Sequence, residues 1–197
     1  MTGTVIQIDL PQSDISFYPN FIRPEDATTL MDIFQRSISW QQDQIKVFGK
    51  TYPQPRLTAL YGNNQKPYSY SNITMYPHPF TKELEEVKSR IETLIPPTVF
   101  SSCLLNLYRD GKDSNGWHAD DEDSLGKDPV IASVSLGQER YFHFKNKQDS
   151  SLKHKILLNH GSLLIMKGST QHHWLHQIPK TSRKIGERIN LTFRVIK

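Results

Sequence analysis

The chain has 197 residues, 36% of them hydrophobic, and a formal net charge of +4; that length fits one domain with an adequate core. A mean hydropathy of −0.56 and a pI near 9.1 exclude a membrane-dominated chain and fall short of histone-like charge density, so the basic excess permits nucleic-acid binding without establishing it. The one cysteine, Cys103, excludes an internal disulfide and lies in an apolar run, as a buried thiol does. No apolar run reaches the length of a membrane span. Met1 to Leu10 lacks the basic start and apolar stretch of a secretory signal, so the expectation is an intracellular protein in a reducing compartment: the cytoplasm of a prokaryote, or the nucleus if eukaryotic.

In chain order, Val5 to Phe17 reads as extended. Pro24 with Glu25 and Asp26 behind it is helix-start chemistry, and Leu30, Ile33 and Phe34 supply an apolar stripe. Strand patterns follow at Gln44 to Phe48 and Leu57 to Tyr61, separated by the turn-rich Lys50 to Arg56. A second turn-rich stretch, Gly62 to Ser71, leads to a helix expected from about Lys82 to Ile95, stopped by Pro96-Pro97. Six more strands are expected: Cys103 to Tyr108, Val130 to Leu136, Tyr141 to Lys145, Lys155 to Leu158, Ser162 to Lys167 and Ile189 to Val195. Asp110 to Trp117 and Gln177 to Gly186 read as turns. Many short strands after two helices predict a double-sheet barrel or sandwich with helices on one outer face. There is no internal repeat and no low-complexity tract.

Two segments carry chemistry. His118-Ala119-Asp120 offers an imidazole and a carboxylate two residues apart, able to converge on one metal ion. On an extended strand, Arg188, Asn190, Thr192 and Arg194 project to one side. Two guanidiniums on one buried face need anionic partners. Two histidines and one carboxylate on one face of an iron leave positions open for a cosubstrate and O₂. The third ligand must come from His143, His154, His160, His172, His173 or His176. Spacing does not choose among them, although Lys153 and Lys155 make His154 a poor site.

Taken together and in order, several blocks resemble the AlkB family of Fe(II)/2-oxoglutarate-dependent dioxygenases. They are Asn106-Leu-Tyr108, Trp117-His-Ala-Asp-Asp-Glu122, Ile131-Ala-Ser-Val-Ser-Leu136, Gly161-Ser-Leu-Leu-Ile-Met-Lys-Gly168, Trp174-Leu-His176 and the Arg188 to Arg194 strand. The resemblance covers roughly Val47 to Arg194. It implies a mainly β fold with flanking α: a double-stranded β-helix, or jelly roll, with N-terminal helices buttressing the larger sheet. It implies a single domain over 1–197, with helices and a nucleotide-recognition lid in about 1–100 and the catalytic core in about 101–197. It selects His176 as the third iron ligand beside His118 and Asp120. It implies that Arg188 pairs with the distal carboxylate of 2-oxoglutarate, that Arg194 lies near the keto-acid end and the ligand carboxylate, and that Asn106, Tyr108 and Asn190 complete the cosubstrate's hydrogen bonds. A reducing compartment suits Fe(II).

The N-terminal half resembles most the family member that repairs duplex DNA, on Val47-Phe48-Gly49-Lys50, Pro55-Arg56 and Tyr61-Gly62. The resemblance implies that Phe48 fills the stack where a damaged base has left it. Tyr68-Ser-Tyr70 corresponds to the lid, with Tyr70 stacking the flipped base against the His118 ring. Arg56, Tyr61, Asp121 and Glu122 complete the expected substrate contacts. The implied activity is oxidative demethylation of 1-methyladenine and 3-methylcytosine in duplex and single-stranded DNA by a monomer with no membrane partner, releasing formaldehyde, succinate and CO₂. The same chemistry on RNA or protein, or a non-catalytic nucleic-acid-binding module, are the alternatives.

Overall fold

The computed structural model describes residues 4–47, 49–70 and 73–197, and their side chains apart from those of Lys46, Val47 and Tyr70. The chain starts with two strands, β1 (Ile6–Gln7) and β2 (Asp14–Tyr18), which pair antiparallel. Helix α1 (Pro24–Ser37) follows. Pro24 opens it, Glu25 and Asp26 sit in its first turn, and it buries Ala27 and Phe34. Two short strands, β3 (Gln44–Val47) and β4 (Lys50–Pro53), pair antiparallel. Then come β5 (Leu57–Gly62) and a second short pair, β6 (Tyr68–Tyr70) and β7 (Ile73–Met75). Helix α2 (Lys82–Glu92) is capped by the Thr81 side chain, which accepts from the Leu84 N–H, and it buries Leu84, Val87 and Ile91. It ends three residues before the expected Ile95, because the last residues continue as turns bonded to Ile91 and Glu92.

The regular elements of the second half are nearly all strands: β8 (Ser102–Tyr108), β9 (Asn115–His118), β10 (Ile131–Gly137), β11 (Arg140–Asn146), β12 (Lys153–Leu158) and β13 (Ser162–Lys167). A one-turn helix, α3 (Thr170–His173), leads to β14 (Trp174–Ile178), and β15 (Arg188–Arg194) completes the fold. Among the described residues the strands form a large sheet in the order β1-β2-β13-β10-β15-β8-β5 and a smaller one in the order β12-β11-β14-β9. Every ladder is antiparallel. This is the jelly roll, with α1 and α2 on the outer face of the large sheet.

The large sheet is buried on both faces, and its alternation sorts side chains between two cores. Cys103, Leu105 and Leu107 of β8, Ala132, Val134 and Leu136 of β10, and Ile189, Leu191 and Phe193 of β15 pack with Phe34, Leu84 and Ile91 of the helices. The intervening positions, among them Leu104, Tyr108 and Ile131, pack between the sheets against Phe142, Phe144 and Trp174. The period of two therefore turns Arg188, Asn190, Thr192 and Arg194 inward, as expected from their spacing.

Candidate active site

Between the sheets lies a cavity of about 230 Å³. One wall is β15 and β8, carrying Arg188, Asn190, Thr192, Arg194, Asn106 and Tyr108. The other carries His176, Phe142 and His118, and Tyr68, Arg56 and Glu122 also line it.

His118, Asp120 and His176 each offer a ligand atom, and those atoms lie within 4.8 Å of one another. The backbone ladder brings the imidazoles together. His176 on β14 is registered opposite His118 on β9, and their ring centroids are 4.2 Å apart. His176 also stacks on Phe142, at 5.1 Å and 23°. The His118 Nδ1–H donates to the Gly116 carbonyl at 2.8 Å. That assignment leaves the Nε2 lone pair available, and Asn115 Nδ2 donates to it at 3.2 Å. Burial lowers the His118 pKa. Burial, reinforced by His118, drives His176 down to about 3. Both rings are therefore neutral near pH 7, as a metal requires.

Asp120 is clamped from two sides. Its N–H donates to Gln171 Oε1 at 3.0 Å, and its Oδ1 accepts from Arg194 Nη2 at 2.6 Å. Burial alone would raise its pKa, but Arg194 and the two histidines outweigh that and hold it at about 2. Two neutral imidazoles and an ionised carboxylate form the donor set of a facial-triad iron site, so these residues fit Fe(II).

Arg188 is 1% exposed. Its Nη2 donates to Ser135 Oγ at 2.9 Å, while Nε and Nη1 have no hydrogen-bond partner. The Tyr108 ring lies 5.2 Å from its guanidinium carbon. Burial pushes its pKa down to about 10 against the pull of Tyr108. A buried guanidinium with two unused donor nitrogens on the cavity wall fits a carboxylate. Asn190 lines the same wall, but its Nδ2 already donates to Ser133 Oγ and Val134 O, and its Oδ1 accepts from Thr192. Asn106 Oδ1 accepts from Arg56 Nε at 2.7 Å, and Arg56 Nη1 donates to the Ser114 carbonyl at 3.0 Å. Arg56 is thus an anchored wall residue.

The Tyr68 hydroxyl donates to Glu122 Oε1 at 2.8 Å, and the Arg194 guanidinium lies 5.2 Å from the Tyr68 ring centre. Burial raises the Tyr68 phenol well above its usual range, so it keeps its proton. Burial and the Asp120 charge also raise the Glu122 carboxyl, whose Oε2 has no partner.

Two expected substrate contacts do not reach this cavity. Tyr61 is buried in the core beneath the helices, and its hydroxyl accepts from the Ser39 N–H at 3.3 Å. Strand alternation gives the helix side to Ala59 and Tyr61 and the inter-sheet side to Leu60. Asp121 is exposed and pairs with Lys147 at 2.7 Å, while its neighbours Asp120 and Glu122 turn inward. Phe48 and the side chain of Tyr70 lie outside the described residues. Gln171, fully buried beside Asp120, escaped the sequence reading because one glutamine in a four-residue helix has no local signature.

A family model described as 2OG-Fe(II) oxygenase superfamily matches residues 14–194. Alpha-ketoglutarate-dependent dioxygenase alkB homolog 3 of Mus musculus is 43% identical over 98% of this chain and 70% of its own length. DNA oxidative demethylase ALKBH2 of Mus musculus is 39% identical over 78% of this chain and 66% of its own length, and the Arabidopsis thaliana ALKBH2 is 35% identical over 93% of this chain and 67% of its own. A solved structure titled "The structure of OsALKBH1" superposes with a TM-score of 0.68 at 21% identity, covering 95% of this chain and all of that one, which supports the fold.

Proposed function

This chain belongs to the 2OG-Fe(II) oxygenase superfamily and, within it, to the AlkB homologues, and from that premise we propose that it removes methyl groups from ring nitrogens of damaged DNA bases, 1-methyladenine and 3-methylcytosine. It is a dioxygenase that uses Fe(II) and 2-oxoglutarate. The carrying observation is the pairing of a His118–Asp120–His176 cluster with a buried, half-unpartnered Arg188 in one cavity. Relatives named as DNA oxidative demethylases direct that chemistry to DNA.

When bound, iron and 2-oxoglutarate supply the oxidation of the N-methyl carbon by O₂, with succinate, CO₂ and formaldehyde as the products. His118, Asp120 and His176 hold the metal. Arg188 binds the distal carboxylate, with Tyr108 packed on the guanidinium. Arg194 keeps Asp120 ionised and aimed. Asn106 contributes through its contact with Arg56, and Asn190 shapes the wall. Tyr68 and Glu122 form a hydrogen-bonded pair on the wall that can read the edge of an extruded base. On the sequence resemblance, Phe48 acts as the wedge and Tyr70 as the stacking ring.

The test incubates the protein with Fe(II), 2-oxoglutarate and ascorbate on matched single- and double-stranded DNA carrying 1-methyladenine, with methylated RNA as a third arm, and follows the methyl group by mass spectrometry. Demethylation of DNA supports the reading. Succinate formed in the presence of methylated RNA, but not methylated DNA, would overturn the choice of substrate. Phe48→Ala should weaken turnover of duplex more than of single strands; equal losses would remove the wedge.

A further inference from the structure

The small sheet has a second face, and its chemistry differs from that of the cavity side. Not one of the residues of β9, β11, β12 and β14 is acidic, although the chain as a whole holds 20 Asp and Glu. Alternation turns Phe142 and His176 inward and leaves Tyr141, His143 and Lys145 of β11 on the other side. His143 is registered opposite Lys155 of β12 and Gln177 of β14, and Lys145 opposite Lys153. Trp117 of β9 completes the row next to the candidate iron ligand His118.

Two large rings stand exposed on this face, Trp117 at 38% and Tyr141 at 45%. Each has a lysine over it: Lys145 Nζ is 4.8 Å from the Trp117 ring centre, and Lys155 Nζ is 5.0 Å from that of Tyr141. Lys145, Lys153 and Lys155 make no ion pair among the described residues, whereas the nearby Asp121 is taken by Lys147. A groove lined by Trp117, His143, Lys153 and Lys155 joins the strands. Tyr141 to Lys145 spans roughly 14 Å at about 3.4 Å per residue, the reach of a few nucleotides.

We propose that this outer face binds the single-stranded DNA flanking the damaged base, the lysines meeting phosphates and the exposed rings stacking unpaired bases. The assignment rests on the DNA reading above. Charge complementarity favours a polyanion, because Lys145, Lys153 and Lys155 make no ion pair among the described residues and no acidic residue lies on the four strands. Exposed aromatics favour a strand whose bases are unstacked, since a duplex offers phosphates but no free base faces. Continuity favours the substrate's own flank, because Trp117 adjoins His118 on one strand.

The test uses the holoenzyme with a double charge reversal, Lys153→Glu with Lys155→Glu, and separately Tyr141→Ala; none of these residues lines the cavity. Two methylated substrates are compared, a trinucleotide and a 15-nucleotide single strand. The proposal expects KM for the long strand to rise about tenfold in the charge reversal and a few-fold in Tyr141→Ala, with kcat and all trinucleotide constants unchanged. It also expects the salt dependence of binding to flatten by about 0.7 in the log–log slope for each lost phosphate contact. Equal KM values for wild type and variants overturn it, as do losses of the same size on both substrates, which would mean a merely structural role. If the wild type demethylates no DNA, the substrate reading fails. Fluorescence anisotropy with an unmethylated 15-nucleotide DNA then decides this surface alone: weaker binding by the charge reversal supports it, and equal binding, or a loss confined to RNA of the same sequence, overturns it.

Discussion

Arg188 and Arg194 occupy the two ends of one strand, face the same cavity and are both buried, yet their electrostatics are opposite. Arg194 is charge-matched within the protein: burial alone would lower its pKa, but the Asp120 carboxylate raises it above that of a free guanidinium. Arg188 is unmatched, held down at about 10, with two nitrogens unused. The lesson is a division of labour along β15. One end finds its counter-charge in Asp120 when the chain folds, with Nε alone left without a hydrogen-bond partner; the other has no carboxylate partner among the described residues.

The harshest way to break this contrast is Asp120→Ala. Formaldehyde release should fall to background. Because the substitution strands Arg194 as a buried unpaired charge, it should also cost about 3–5 kcal/mol of stability, read by denaturant titration. An unchanged midpoint would show that Arg194 does not depend on Asp120 for its counter-charge. Next in size is Arg188→Met. Removing an anion's buried partner is worth about 2–5 kcal/mol, so KM for 2-oxoglutarate should rise on the order of 100-fold. Without 2-oxoglutarate, however, Tm should hold or rise, since an uncompensated charge has been removed. Added 2-oxoglutarate should stabilise the wild type but not this variant.

A smaller effect comes from acid. His176 sits at about 3 in the fold against an ordinary 6.5, so below 6.5 the unfolded chain binds the extra proton. Stability of the metal-free protein should be complete above pH 6.5 and fall as pH drops toward 3. Asp120, held near 2 against 3.8, adds a loss of the same sign below 3.8. Calorimetry from pH 7 to 5 should show Tm decreasing; a flat profile would contradict a neutral, buried His176. Smallest is Tyr68→Phe, which removes one hydrogen bond worth about 1 kcal/mol. KM for methylated DNA should rise several-fold, while KM for 2-oxoglutarate stays put.

The contrast also marks what could be read before folding. β15 was legible because a period-two strand reports its own inward face, and the helix start at Pro24 was legible because caps are local. The choice of His176 was not, since cross-strand register, rather than sequence spacing, brings it opposite His118. It took the family resemblance to select it. β4 and β6 hid in stretches that read as turns, because β4 is exposed along its whole length and shows no apolar alternation. The side that Tyr61 takes was illegible for the opposite reason: an aromatic on a strand reads equally well on either face, and only the packing of α1 and α2 places it in the core.

The smaller sheet ends at β9. One imidazole of the cluster therefore rides on an edge strand only four residues long, while the other is laced between two neighbours. Edge segments open most readily, and their amides exchange with solvent first. A metal bridging His118 to His176 would act as a cross-link between edge and interior. Deuterium uptake across Asn115 to Asp120 should slow sharply on loading with Mn(II), making the least secured strand of the sheet the sensor of whether the centre is filled.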